Sequence, residues 1–565
     1  MANDQFSLSP PKRKEPDSRG PARILIVHHL ELILVLLAVA AVLEVVAHKI
    51  GVPHPALLVL GGLALALTPG LPRVEMDPET LFLVFIPPLL YRAALLTSWR
   101  DFRAHLRAIL TLAVGVLLAT VAVVAVVAHA LSPEFTWATA FVLGAIVSPP
   151  DAVAAVAVMR RLGVPRSVQT ILEGEGLVND AVALVAYRMA IAAVVAGSFS
   201  VRHASLNFLG VAAGGIAMGL AAGFLVALIR RLIGRAPLVE NTISILTPFI
   251  SYIPADRLGV SGVLAVVTTG LYLGRVGPRL VSPTTRLQAV AMWDMIVFLL
   301  EGLIFILIGL YLPSSIEALK SHSLGALLWI AGILSAVVVL IRLLVAFPAA
   351  YGLRFIARVF GARWPYPPWR HVAFIGWAGM RGGDSLVIAL ALPLATAAGV
   401  PFPARDLIIF VTFSVILVTL VLQGFTFAGS IRLLGLHGDG EESKEEAQAR
   451  RTAAEAGLAR LEDLAREPGA SRDHIDDLRD RHARRLHHLM VREQPVIFRD
   501  KREYFAIYRR LRGEMLQAER LALIKLRDDG VISDAVMHIV QHDFDLEASL
   551  LEHDESHDDP PPAEA

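Results

Sequence analysis

The 565-residue chain contains no cysteine. This absence excludes a disulfide framework, a catalytic thiolate and any cysteine-ligated metal or iron–sulfur centre. The chain also lacks an excess of one charge, since 52 basic residues face 51 acidic ones, and its composition predicts no nucleic-acid partner. No glycine-rich loop ending in Lys-Ser or Lys-Thr occurs in the sequence, which argues against a nucleotide-driven pump.

Apolar residues are abundant instead. They make up 55% of the chain, its mean hydropathy is +0.60, and an ordinary soluble domain has about 45–50%. About thirteen apolar segments have the roughly 20 residues that a helix needs to cross a bilayer. Their centres lie near Leu37, Gly62, Pro87, Gly115, Val147, Val182, Met218, Leu246, Val266, Phe305, Ala336, Arg381 and Val415. The sequence therefore predicts an all-α polytopic membrane protein.

Composition divides the chain into three parts. Residues 1–28 are polar and proline-rich and are predicted to be a disordered tail. Residues 29–431 form the membrane domain, and residues 432–565 are charged and predict a helical C-terminal domain. Arginines accumulate in alternate loops, which places the C-terminal domain in the cytoplasm. The basic run Lys12–Lys14 leaves the side of the N-terminus open, and no partner of the tail is identified.

Two acids lie at matching depth in neighbouring spans. A carboxylate inside a span costs about 2.5–3.5 kcal/mol and is by default a candidate for function. Asp151 follows Pro149 and Pro150 in the fifth span, and Asp180 lies in the sixth. At 1.5 Å per residue, both lie about 18–21 Å into a core roughly 30 Å thick. They are the predicted ligands of a transported cation.

The two prolines predict a broken helix beside these acids. Proline removes a backbone donor and clashes with the preceding turn, and irregular backbone at this depth occurs only in protein or along a cavity. Carbonyl groups freed around Ser148 and Pro150 can ligate a hard cation, Asn179 adds an amide, and Asp180 supplies charge.

Asp180 can hold a proton as well as a cation. Burial disfavours the charged form of a carboxyl group, so the two ions can compete for it near neutral pH. This competition is sufficient for coupled exchange without enzyme chemistry or a cofactor. A lone buried aspartate more often has a structural hydrogen-bonding role, which we expect of Asp294.

Glu175 precedes Asp180 by five residues and lies off its helical face. An unpaired buried charge is costly, so we expect Glu175 to form a buried ion pair. Arg342 and Arg381, both deep in later spans, are the available partners.

A second interruption is predicted at Gly379–Asp384 in the twelfth span. Paired broken segments in the two halves of a chain indicate an inverted-repeat transporter whose site lies where they cross. The glycines could instead serve only close helix packing. Asp384 is a possible second acid at the site.

Taken together and in this order, several motifs resemble the sodium/proton exchanger branch of the monovalent cation:proton antiporters. The motifs are Phe85–Tyr91, Ser148–Ala154, Glu175–Asp180, Gly259–Ala265, Gly302–Phe305 and Gly379–Gly382. The tail resembles that of the bacterial members, which implies the bacterial plasma membrane.

The resemblance implies a homodimer in the lipid bilayer, with a thirteen-span inverted-repeat fold, a dimer-forming domain and a moving core. It implies exchange of sodium, or lithium, for protons in pH and sodium homeostasis. Asp180 would be the principal carrier, Asn179 would mark the electroneutral one-for-one type, and Asp151 would shape the broken helix.

The chain departs from the family pattern at several positions. Pro150 stands where Thr is usual, and Gly176 where Ser is frequent, so two hydroxyl ligands are missing. Arg92 stands where many members have an acid, Glu301 where many have Asn, and Asp384 where an apolar residue is common. These changes leave the choice of ion open.

Other functions are compatible with parts of the sequence. A potassium/proton antiporter would use the same acids. A cation channel would show filter rings or a pore-lining acidic repeat, and the sequence has neither. A membrane sensor signalling through the charged tail is the remaining alternative.

Overall fold

The computed structural model describes residues 20–50, 54–68, 78–151, 155–156, 159, 162–196, 201–233, 236–320, 322–361, 366–396, 399–436, 441–466, 474–481, 511–512, 514–519, 521–526, 529, 540, 544 and 546. These residues are mainly α-helical and contain no strand, only an isolated bridge between Ala395 and Pro401. The chain divides into two compact units, Met1–Leu436 and His437–Ala565.

The first unit is a bundle of helices. They are α1 (Gly20–Ile50), α2 (His54–Ala66), α3 (Pro78–Leu96), α4 (Trp99–Leu131), α5 (Trp137–Val147), α6 (Arg166–Ala196), α7 (Val201–Ile233), α8 (Pro237–Arg257), α9 (Gly262–Leu280), α10 (Pro283–Ala318), α11 (Leu324–Val359), α12 (Trp369–Trp377), α13 (Gly383–Leu390) and α14 (Arg405–Leu434). The second unit contains α15 (Glu441–Leu464). Within α4, residues Thr111–Val116 form a π-helical segment.

The bundle has the composition of a membrane protein. Six helices, α4, α6, α7, α10, α11 and α14, are long and apolar enough to cross a bilayer, and shorter apolar segments lie in α1, α2, α3, α5 and α9. Each centre predicted from sequence lies in a helix or, at Arg381, between α12 and α13. The all-α polytopic fold is confirmed, and the number of spans stays a prediction.

Helix bounds are known near two of the predicted domain boundaries, and the division into three parts stays a prediction. Helix α1 begins at Gly20, so it includes residues 20–28, which we predicted to belong to the N-terminal tail. Helix α14 runs to Leu434 and ends where Gly435 adopts a φ of 59°, a conformation that glycine permits at little cost. Residues 1–19 lie outside the described residues.

Both predicted interruptions are present. Helix α5 ends at Val147, immediately before Ser148 and the two prolines that cannot continue it. In the twelfth segment, α12 ends at Trp377 and α13 begins at Gly383. Residues 152–154, which we assigned to the first interruption, are not among the described residues.

Glycines let two helix pairs approach at backbone distance. A Cβ on Gly62 of α2 would overlap the Ile306 carbonyl of α10, and Gly309 of α10 lies equally close to α2. In α9, a Cβ on Gly270 would lie 3.1 Å from the Tyr91 carbonyl oxygen of α3. Small residues at such contacts are the usual basis of helix packing in membranes, where no hydrophobic force drives association.

Candidate functional site

The two interrupted helices meet at Asp151. Its backbone N–H donates a hydrogen bond to the Met380 carbonyl oxygen at 2.7 Å, which joins the break after α5 to the break before α13. Gly382 lies against the Asp151 carboxylate, and a Cβ at this position would overlap that group. The close approach of the two segments therefore requires a glycine here.

Asn179 links α6 to the same crossing. Its Nδ2 donates to the Pro150 carbonyl oxygen at 3.3 Å. The side chain is fully buried, and its Oδ1 accepts no hydrogen bond from the described residues. A buried oxygen without a donor costs about 1–3 kcal/mol and is chemically suited to ligating a hard cation. Ser148 donates its hydroxyl proton to the Ala145 carbonyl oxygen at 3.3 Å, which leaves the hydroxyl oxygen as an acceptor.

Three aspartates gather around the crossing. Asp151, Asp180 and Asp384 are each partly buried. Asp384 and Asp151 repel a negative charge on Asp180, and Asp151 repels one on Asp384. A bound proton or cation relieves such repulsion. Within the described parts of the chain, no three His, Asp or Glu side chains converge tightly enough to hold a metal ion, so a cation here would also need amide and backbone oxygens.

Glu175 is neutralised by Arg342. The arginine donates Nη1 to Oε1 at 2.6 Å and Nη2 to Oε2 at 2.8 Å, and the two side chains are 4% and 2% exposed. Nη2 also donates to the Ile375 carbonyl oxygen at 3.3 Å. This two-point geometry is the strongest form of such a pair. It connects α6, α11 and α12. Because Arg342 balances the charge of Glu175, this carboxylate differs from the three aspartates at the crossing.

Arg381, the other partner that we considered for Glu175, does not form an ion pair with it. It lies on the unwound segment, 1% exposed, and its backbone N–H donates to Thr419 Oγ1 at 3.1 Å. Its side chain interacts with Glu175 only through longer-range attraction and is repelled by Arg342. Its Nε and Nη1 donate no hydrogen bond to a described residue. Arg342, which pairs with Glu175, lies instead within the continuous helix α11.

Sequence reasoning did not assign Glu301 to the site. This residue of α10 is repelled by Asp151 and Asp384, and to a smaller extent by Glu44, so it belongs to the same acidic cluster. The sequence showed only that Glu301 replaces a frequent Asn of the family. An acid inside the long apolar run of α10 was the signal that could have placed it here.

Helix α14 supports the second interruption with two polar side chains that the sequence analysis also left unassigned. Gln423 donates Nε2 to the Trp377 carbonyl oxygen at 2.8 Å, and Thr419 binds the backbone of Arg381. Both side chains are buried. The sequence signal for this role is the spacing of four residues, which places both polar side chains on one face of an apolar helix.

Asp294, which we expected to have a structural role, binds Arg92. The Oδ1 to Nη2 distance is 2.5 Å, and the aspartate is 61% exposed. Arg92, which replaces a frequent acid of the family, is therefore held by this pair.

Comparisons with known proteins agree on one family. The family model described as "Sodium/hydrogen exchanger, transmembrane" matches residues 33–431. A Mycobacterium bovis protein named as an uncharacterized Na(+)/H(+) exchanger is 36% identical over 93% of this chain and 97% of its own length. A Bacillus subtilis protein named "Sodium, potassium, lithium and rubidium/H(+) antiporter" is 35% identical over 69% of this chain and 59% of its own length.

A solved structure shares the fold. The sodium proton antiporter MjNhaP1 from Methanocaldococcus jannaschii aligns with a TM-score of 0.55 at 19% identity. The alignment covers 71% of this chain and 99% of that protein.

Proposed function

We propose that this chain, which belongs to the sodium/hydrogen exchanger family, exchanges sodium for protons one for one with Asp180 as the carrier of either ion. The chain is a multi-pass membrane protein and a secondary transporter that couples cation movement to proton movement.

The observation that carries the proposal is the contact of the two interrupted helices at Asp151, beside Asn179. The free Oδ1 of Asn179 and the carboxylate of Asp180 lie on consecutive residues of α6, next to irregular backbone. A sodium ion would take oxygen ligands from Asp180, Asp151, the Asn179 amide and freed carbonyls near Ser148 and Pro150. A proton on Asp180 would abolish the negative charge that holds the cation, so the two ions exclude each other.

The one-for-one ratio rests on how many acids can change charge. Glu175 is held by Arg342 and does not enter the count. Asp180 is then the acid that alternates between proton and cation. One-for-one exchange requires that Asp384 and Glu301 each keep the same protonation state throughout the transport cycle. If either of them gained and lost a proton, a second proton would be carried in each cycle.

Potassium is the second candidate cation. The name of the Bacillus subtilis relative includes sodium, potassium, lithium and rubidium. This chain lacks side-chain hydroxyl groups at Pro150 and Gly176, so fewer rigid ligands define the size of the bound ion. We rank sodium, with lithium, first because the family and the M. bovis relative are named for sodium exchange.

We further propose a homodimer in the bacterial plasma membrane with the C-terminal unit in the cytoplasm. Support comes from the family resemblance and from the arginine-rich alternate loops. Light scattering of the detergent-solubilised protein would measure twice the mass of one chain, and a monomeric mass would contradict the dimer.

The test of function is proton movement in proteoliposomes loaded with a pH-sensitive dye. An inward sodium gradient should drive protons outward through the wild-type protein, and Asp180→Asn should retain less than about a tenth of that rate. Repeating the pulse with lithium, potassium and rubidium chlorides ranks the cations. Sodium uptake without coupled proton movement would indicate a cation channel, and a variant as active as the wild type would remove Asp180 as carrier.

A further inference from the structure

A cavity of about 480 Å³ lies between α4, α6, α11 and α12. Its volume is within the range of small-molecule sites, about 300–1,000 Å³. It is lined by other residues than Asp151, Asn179 and Asp180, so it is separate from the candidate ion site.

Positively charged and titratable basic groups converge on this cavity from three helices. Arg107 and His105 come from α4, Arg354 comes from α11 and His371 comes from α12. None of the described residues that line the cavity is acidic. The neighbouring Asp101 forms an ion pair with Arg166, whose Nη2 lies 2.7 Å from Oδ2 of the aspartate. The charge of Asp101 is therefore balanced by that of Arg166. The described lining of the cavity therefore has two arginines and two histidines and no acidic side chain.

Two helices also begin at the cavity. Ser167 and Val168 line it from the first turn of α6, and His371 lines it from the first turn of α12. Neither helix has an acidic residue in its first turn. The partial positive charge of a helix N-terminus attracts anions, phosphate groups above all. Arginine adds a planar fork of donors that matches phosphate oxygens.

The walls of the cavity also contain apolar and aromatic side chains. Tyr351 donates its hydroxyl to the Pro367 carbonyl oxygen at 3.0 Å and stacks on Tyr366, with ring centroids 6.0 Å apart. Pro367 and Tyr366 line the cavity, so this wall is held in place. Leu112 and Ile375 provide apolar contacts on other walls.

We propose that this cavity binds a phosphate-bearing anion with an apolar substituent, supplied as the headgroup region of an anionic lipid or as a soluble phosphate ester. The cavity lies at the end of the bundle where α14 ends, since Leu436 packs in one apolar cluster with Val168 and Ile375. One of the helices that line the cavity is α6, which also carries Asn179 and Asp180. A bound anion would therefore contact this helix together with α4, α11 and α12.

The test is thermal unfolding of the full-length protein in a neutral detergent. The probes are phenyl phosphate and monomeric dihexanoyl phosphatidylglycerol, with zwitterionic dihexanoyl phosphatidylcholine as control. At least one anionic probe should raise the wild-type Tm saturably, and the zwitterionic lipid should not. In Arg107→Gln/Arg354→Gln the half-saturating concentration should rise at least about tenfold, as expected from the loss of charge-assisted hydrogen bonds.

Two further variants separate binding from folding. Arg103→Gln removes an exposed arginine of α4 that does not line the cavity, and its response should match that of the wild type. Ala349→Leu fills the cavity without removing charge and should also weaken binding at least about tenfold. This variant tests the proposal independently if the double arginine variant does not fold.

The source of the anion follows from the two probes. Saturation by phosphatidylglycerol at a lower concentration than phenyl phosphate supports a lipid headgroup, and the reverse order supports a soluble ester. The proposal is overturned if neither probe raises the wild-type Tm, or if Ala349→Leu and the double arginine variant respond as the wild type does.

Discussion

Asn179 shows at the scale of one residue how the structure prepares a site. Its amide nitrogen is committed to the Pro150 carbonyl, which leaves the amide oxygen buried and without a donor. An aspartate at this position would lose that donor and add a further acid to the cluster of Asp151, Asp180, Asp384 and Glu301. The amide therefore positions an oxygen ligand without changing the number of acids that titrate.

The pairing of Glu175 with Arg342 leads to a prediction about stability. Glu175→Gln leaves the buried Arg342 without a counter-charge, which typically costs about 3–5 kcal/mol. We expect a large fall of Tm in detergent, while the apparent sodium affinity changes by less than about twofold. Thermal unfolding and exchange assays on one preparation measure both.

The matched control is Asp256→Asn, which breaks an ion pair with Arg188 in which both side chains are about 40% exposed. Such a pair is worth about 0–1 kcal/mol, so its Tm should hardly change. An unchanged Tm for Glu175→Gln, together with a large loss of sodium affinity, would place Glu175 in the ion site instead.

At the scale of helices, the crossing depends on the absence of a side chain at Gly382. Gly382→Ala would place a methyl group against the Asp151 carboxylate and separate the two interruptions. Because small displacements at a reacting centre can cost up to about a hundredfold in rate, we expect exchange to fall at least about tenfold. Gly429→Ala in α14, where a Cβ meets nothing within 4 Å, should leave exchange unchanged. Equal rates for both variants would show that the crossing does not need close contact.

Interruptions and paired acids were predictable because prolines break helices and carboxylates inside apolar runs are costly unless they serve a site. Pro149 and Pro150 end α5 where expected, and residues 378–382, within and beside the predicted second interruption, separate α12 from α13. The partner of Glu175 was not predictable, since Arg342 and Arg381 lie at similar depth and only the course of the unwound segment separates them. Glu301 was missed because its distance in sequence from Asp151 conceals their proximity.

At the scale of the whole molecule, the acids invoked above all lie in the first unit, Met1–Leu436. A truncation after Gly438 retains that unit, including the buried Leu436. We expect the truncated protein to exchange sodium for protons at a rate within about threefold of the wild type, with any change confined to its pH profile, because no group of the second unit is required for ion binding. Proteoliposome assays across a pH range measure both quantities. A truncated protein that inserts and dimerises but does not exchange would place the second unit in the transport mechanism.

The most direct test of the central claim, that Asp180 alone alternates between one proton and one sodium ion, is the voltage dependence of the reversal point. Vesicles are clamped at different potentials with valinomycin and potassium, and the sodium gradient at which proton flux reverses is measured. One-for-one exchange moves no net charge, so the reversal gradient should be the same at every potential. A net charge per cycle would be worth about 2.3 kcal/mol per 100 mV, or about fiftyfold in the gradient. A reversal point that moves by this amount would contradict the account and assign a second proton to Asp384, Asp151 or Glu301.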